Sequence, residues 1–126
     1  MSLHLIKMAV GVADIAELGR MRAARTAERG GSWVPTRHRP RHAAAIVAGG
    51  GSLYWVIRGQ IRMRQRITGF GSGVDDGGRP CCRIEVDPEL VSTALAARRP
   101  FQGWRYLSAA DAPPDVARDR AGGAVG

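Results

Sequence analysis

Residues 52–67 read SLYWVIRGQIRMRQRI: an apolar run, a glycine, then arginine at every second position. LYWVI is rich in β-branched and aromatic residues and predicts a central strand. From Gln60 to Thr68 the alternation is clean. Ile61, Met63, Gln65 and Ile67 point one way, and Arg62, Arg64 and Arg66 the other. Gly59-Gln60 fits either a tight hairpin turn or a bulge within one long strand, and both stay open here.

Outward from this stretch, LHLIKMAV (3–10) alternates Leu3, Leu5 and Lys7 against His4, Ile6 and Met8, a strand signal that Gly11 ends. Asp14 precedes Glu17 by three residues, a capping-box variant, and Ile15, Leu18 and Met21 share one face of the helix that follows, up to Gly30-Gly31. SWVPTRHRP (32–40) is expected to be a loop because of its two prolines. RHAAAIVA predicts a short helix ended by Gly49-Gly50-Gly51. GFGSGVDDGGRP (69–80) is expected to be a flexible loop, and CCRIEVD (81–87) a strand in a hairpin with the arginine strand, Glu85 facing one of its arginines. DPELVSTALAARR (87–99) has local helix character, with Asp87 as cap and Pro88 in the first turn. PFQGWRYL (100–107) is aromatic and expected to join the sheet. The polar tail is expected to be disordered from residue 115. Together these predict one α+β domain over residues 1–114, with a mostly antiparallel sheet and two to three helices.

The net charge is +8, and it is unevenly placed. Between Arg20 and Arg66 eleven arginines face one acid, Glu28, a net +10. Lys7 is the only lysine beside eighteen arginines. A GC-rich coding bias explains arginine in place of lysine, but not the missing acids. Such asymmetry suggests an anionic partner. Adjacent Cys81 and Cys82 are expected to be reduced thiols, one buried and one outward. The N-terminus has no signal-peptide pattern, and no apolar run is long enough to span a bilayer. These features predict a soluble, cytoplasmic protein without membrane insertion.

Several stretches together resemble one bacterial family: LHLIK (3–7), GGSLYWVIRGQI (50–61), RQRI (64–67), DPELV (87–91) and PFQGWRYL followed by DAP (100–113). It is domain of unknown function 1489 (DUF1489), mainly alphaproteobacterial. The resemblance implies a single cytosolic domain and no assigned activity. A family element of the form TR-x-x-PKR stands here as Thr36-Arg37-His38-Arg39-Pro40-Arg41. The chain departs from the pattern in a short stretch before Trp33 and at 92–99, STALAARR, where the resemblance implies an extended approach to Pro100. Helix and extended chain therefore both stay open there. The succession of helix, glycine turn, apolar strand and basic strand also resembles small RNA-associated barrels of the PUA and ASCH type, as architecture only.

The candidate site residues follow from these patterns. Arg62, Arg64 and Arg66, about 6–7 Å apart on one strand face, match phosphate spacing along a nucleic acid, and Arg37 and Arg41 extend the patch if the second helix packs nearby. Trp104 and Tyr106 are candidates for base stacking. Gln65, among inward apolar residues, either anchors backbone or lines a pocket, and Gln102 and Arg105 sit beside Gly103 in a segment able to approach a ligand closely. No phosphate-binding loop or catalytic constellation is present, and His38 and His42, four apart as helical metal ligands can be, are separated by Pro40 with no carboxylate nearby in sequence, so no metal, cofactor or catalytic residue is assigned. The leading expectation is a basic anion-binding domain, with RNA or a phosphorylated ligand as partner. The rival is a small-molecule-binding domain or enzyme with a pocket between GSLYWVI and PFQGWRYL, using Arg64, Gln65 and Arg105. A protein–protein module is the third. Oligomeric state is not readable from the sequence.

Overall fold

The computed structural model describes residues 2–116. Seven strands and two helices follow in the order β1 (Leu3–Met8), α1 (Ile15–Arg29), β2 (Trp33–Thr36), α2 (Ala43–Ala48), β3 (Ser52–Ile57), β4 (Gln60–Val74), β5 (Pro80–Val86), β6 (Val91–Ala97) and β7 (Trp104–Ser108). The strand path is β2-β5-β4-β3-β1-β7, with β6 also on β4; β1 and β3 are parallel, and the other pairs antiparallel. This is an α+β domain. The path has two free ends, β2 and β7, so the sheet is not a closed barrel.

The opening stretch is a hairpin. Arg58 and Gly59 both take positive φ, 51° and 82°, and join β3 to β4 as a two-residue turn. Such turns match the twist of the paired strands, and glycine adopts the second position without steric cost. All of β3 is buried, because both sheet faces are covered. Leu5, Leu53, Trp55, Met63, Ile67 and Ile84 pack with Leu18 of α1 and Ile46 of α2, while Ile6, Tyr54, Val56, Ile61 and Leu107 form a second cluster. Ile61 therefore departs from the expected alternation. Val56 pairs with Ile61 and Trp55 with Met63, so Arg62 is an extra residue that turns Ile61 to the other side.

α1 forms as its termini predict. The Asp14 carboxylate accepts from the Glu17 N–H at 2.8 Å, Glu17 accepts from the Ala13 N–H at 2.6 Å, and Gly30 closes the helix in the left-handed region.

Pairing partners overturn two local expectations and decide one open alternative. The glycine-rich segment is strand, not loop: β4 runs on to Val74 and pairs with β5. Its alternate glycines make room for β5 side chains. A Cβ at Gly69 would stand 2.9 Å from Glu85 Oε1, and one at Gly73 would stand 2.6 Å from Arg83 Cδ. Glu85 consequently lies opposite Gly69 and faces no arginine of the 62–66 row. Residues 33–36 are strand despite Pro35, since β2 is an edge strand that pairs only with β5. Residues 91–97 are extended, as the family pattern implies, because β6 satisfies the second edge of β4 from Gln60 to Arg64. Unpaired strand backbone outweighs the modest helix preference of alanine and leucine.

Cys82 is buried and Cys81 partly so, both as free thiols. Asp115 bridges to Thr93, and the Val116 N–H donates to the Ser92 carbonyl, so ordered chain continues past residue 114. The remainder of the expected tail, 117–126, lies outside the described residues.

Candidate functional site

The free end β7 faces the chain leaving β2. Thr36, Arg37 and His38 on one side and Gln102 to Tyr106 on the other line a cleft of about 530 Å³. Loop and strand are tied together. Trp104 Nε1 donates to the His38 carbonyl at 3.2 Å, and the His42 N–H donates to the Tyr106 hydroxyl at 3.1 Å. The Trp104 and Tyr106 rings meet edge to face at 4.8 Å, and His42 leans on Tyr106 at 5.5 Å. Trp104 also packs against the main core, while Tyr106 is 38% exposed. On the other side of β7, Arg105 stands over Phe101 at 5.4 Å and donates to the Gln102 carbonyl at 3.3 Å. The cleft thus gathers Arg37, Gln102, Trp104 and Tyr106 around the unclosed seam; Arg105 touches its lining but sends its guanidinium to the opposite face of β7, and Arg41 is exposed on the adjoining loop.

The arginine row on β4 is elsewhere. Across the sheet, Arg105 pairs with Ile6, Ile6 with Tyr54, and Tyr54 with Arg64. Arg64 and Arg105 therefore share one face, three strand spacings or about 14 Å apart. Between them lies the buried second cluster, against which Ala112 of the C-terminal segment packs. Arg64 is engaged by that segment. Its Nε and Nη2 meet the two Asp115 oxygens at 2.7 Å each, and Nη1 donates to Ser52 Oγ at 3.1 Å. The bond to Arg64 holds the Asp115 carboxyl below its ordinary pKa and raises that of the arginine. Arg66 is exposed, and Arg62 is half-buried at the bulge.

Gln65 is fully buried. Its Oε1 accepts from Trp55 Nε1 at 3.0 Å, and its Nε2 donates to the Asp87 carbonyl at 2.9 Å. That is the anchoring role. Because β1 lies between β3 and β7, Arg64, Gln65 and Arg105 do not converge on a pocket. His4 is buried under Arg64 and Tyr54 and accepts from the Ser52 N–H at Nδ1, 2.9 Å. Burial first, and the Arg64 charge second, lower its pKa.

The model of the family described as protein of unknown function (DUF1489) matches residues 5–125. The chain belongs to this family. No curated protein and no solved structure matches it. No helix among the described residues of this DUF1489 domain is long and apolar enough to cross a membrane.

Two features of the DUF1489 domain escape a sequence reading. Thr36 and His38 belong to the cleft, yet the residues 32–40 carry no periodic signal across the β2 end. Arg22 is the second: it is 5% exposed and lies on the buried face of α1 with Leu18. A signal existed for it, since Arg22 follows Leu18 by four residues and so shares its helix face.

Proposed function

We propose that this DUF1489 domain is a cytoplasmic anion-binding module that takes single-stranded RNA in the seam cleft. Arg37 and Arg41 contact phosphates, and the exposed parts of Tyr106 and Trp104 offer a surface to bases. The observation that supports the reading most is the meeting of aromatic and basic side chains from two distant segments in one groove. Base stacking on aromatic rings is sequence-tolerant, and arginine contacts to phosphate make binding salt-dependent. The net charge of +8 favours encounter with a polyanion. Arg64 has a structural role in this reading, since Asp115 occupies its fork.

Fluorescence anisotropy with a labelled single-stranded RNA tests this. Binding weakens steeply as salt rises, and Arg37→Ala or Arg41→Ala lowers the slope of log K against log salt by about 0.7 each. Tyr106→Ala costs about 1–3 kcal/mol of affinity if a base stacks there. Salt-independent binding, or affinities unmoved by all three substitutions, would reject the cleft.

A further inference from the structure

A second cavity, about 260 Å³, lies between α1, the end of β1 and β2, and it shares no lining residue with the cleft. Lys7, Arg22, Arg25, Arg29, Trp55 and Asp76 are among the residues that line it. Its charge balance is unusual for a partly enclosed space. Four cations meet one carboxylate, and Asp76 is an exposed group already held by Arg25 at 3.4 Å.

Arg22 is the most confined of the four. Its Nη2 donates to the Trp33 carbonyl at 3.2 Å, and its Nε is buried without a partner among the described residues. Its guanidinium lies 5.7 Å from the Trp55 ring centre. No carboxylate lies within ion-pair distance of it among the described residues, and its charged neighbours are Arg29 and Arg25. Burial, followed by those two charges, lowers its pKa to about 10, so it stays protonated at neutral pH. Burial also lowers the pKa of Lys7. Arg29 is held on the Trp33 carbonyl at 2.9 Å and over the Trp33 ring at 4.2 Å, which fixes its position beside Arg22. Desolvated cations without a counter-charge are costly, and a bound anion removes that cost.

We propose that this cavity binds the phosphoryl group of a small phosphate monoester. A doubly charged group answers the surplus of cations better than a single carboxylate does, and its terminal oxygens accept from several guanidinium and ammonium donors at once. Met8, Met21 and Val34 contribute apolar lining on which a short carbon skeleton can rest. The volume falls just under the roughly 300–1,000 Å³ of pockets for drug-sized ligands, which favours a small metabolite over a polymer.

Calorimetric titration of the full chain with ribose 5-phosphate and with inorganic phosphate tests this, with ribose as the unphosphorylated control. Both phosphates bind and ribose does not; Arg25→Gln and Lys7→Met each weaken binding about tenfold, while Arg37→Gln in the cleft leaves it unchanged. Arg22→Met serves as a separate check through thermal unfolding. Without ligand it is at least as stable as the parent, because it removes an uncompensated charge, and phosphate no longer raises its midpoint. Absence of phosphate binding to the parent, or equal binding by the Arg25→Gln and Lys7→Met variants, overturns the proposal. So does a phosphate-induced midpoint rise that persists in Arg22→Met.

Discussion

Gln65 shows how one polar side chain holds two strands and a loop in place. It joins the Trp55 indole to the Asp87 carbonyl inside the main core. Gln65→Leu keeps the volume but leaves both partners unsatisfied, and the expected loss is about 2–4 kcal/mol in urea unfolding. A loss below the cost of one orphaned group would mean that water or a neighbour takes over. His4 gives a pH dependence. Its folded pKa lies below the ordinary value of 6.5, so the unfolded chain binds more protons between the two. Stability therefore falls as pH drops through 6.5 toward the folded value, and His4→Gln flattens that part of the profile. Parallel profiles for the two proteins would assign the dependence to other groups. Gln65 was legible as a buried amide from its alternation, but its partners were not. Trp55 precedes it by ten residues and Asp87 follows it by twenty-two, and only the β3–β4 register and the path of the chain after β5 bring them to it.

Elements formed as expected where local chemistry is self-sufficient. α1 carries its own cap and its own stop, and Asp14→Ala is expected to cost about 1 kcal/mol, read as a shift of the urea midpoint. An unchanged midpoint would show that Glu17 alone secures the first turn. Where an element depends on a partner, local signals misled. Glycines at 69, 71 and 73 suggest a loop until Glu85 and Arg83 are seen to occupy the space above them. Ala94, Leu95, Ala96 and Ala97 favour helix, yet the open edge of β4 draws the segment into the sheet. The bulge at Arg62 is a third case. A strict period of two reads across it without a break, although the pairing shifts by one residue and Ile61 changes sides.

For the molecule as a whole, the C-terminal segment closes one face of the sheet, and Arg64 with Asp115 fastens it. Both side chains are partly exposed, so Asp115→Asn is expected to cost no more than about 1 kcal/mol. The clearer readout is faster amide exchange at Ala94 and Val116, whose N–H groups bond across that contact. Unchanged exchange would show that Pro113 and Ala112 hold the segment without the ion pair. The pair's stabilisation is present above the ordinary carboxylate range and is lost as pH falls below it, because the carboxyl pKa is lowered in the folded chain. The sequence by itself determined the α+β class, the first helix with its caps, the central strand and the excess of arginine. These rest on interactions between residues close in the chain or on composition. Only the tertiary structure decided what the arginines do. Arg64 and Arg22 carry the same charge, yet one meets a carboxylate and the other is desolvated among cations. That difference depends on which distant segment packs over each side chain. The row of three arginines is regular in the chain; in the fold, one of its members is a structural fastener, while four other cations line the cavity beside α1.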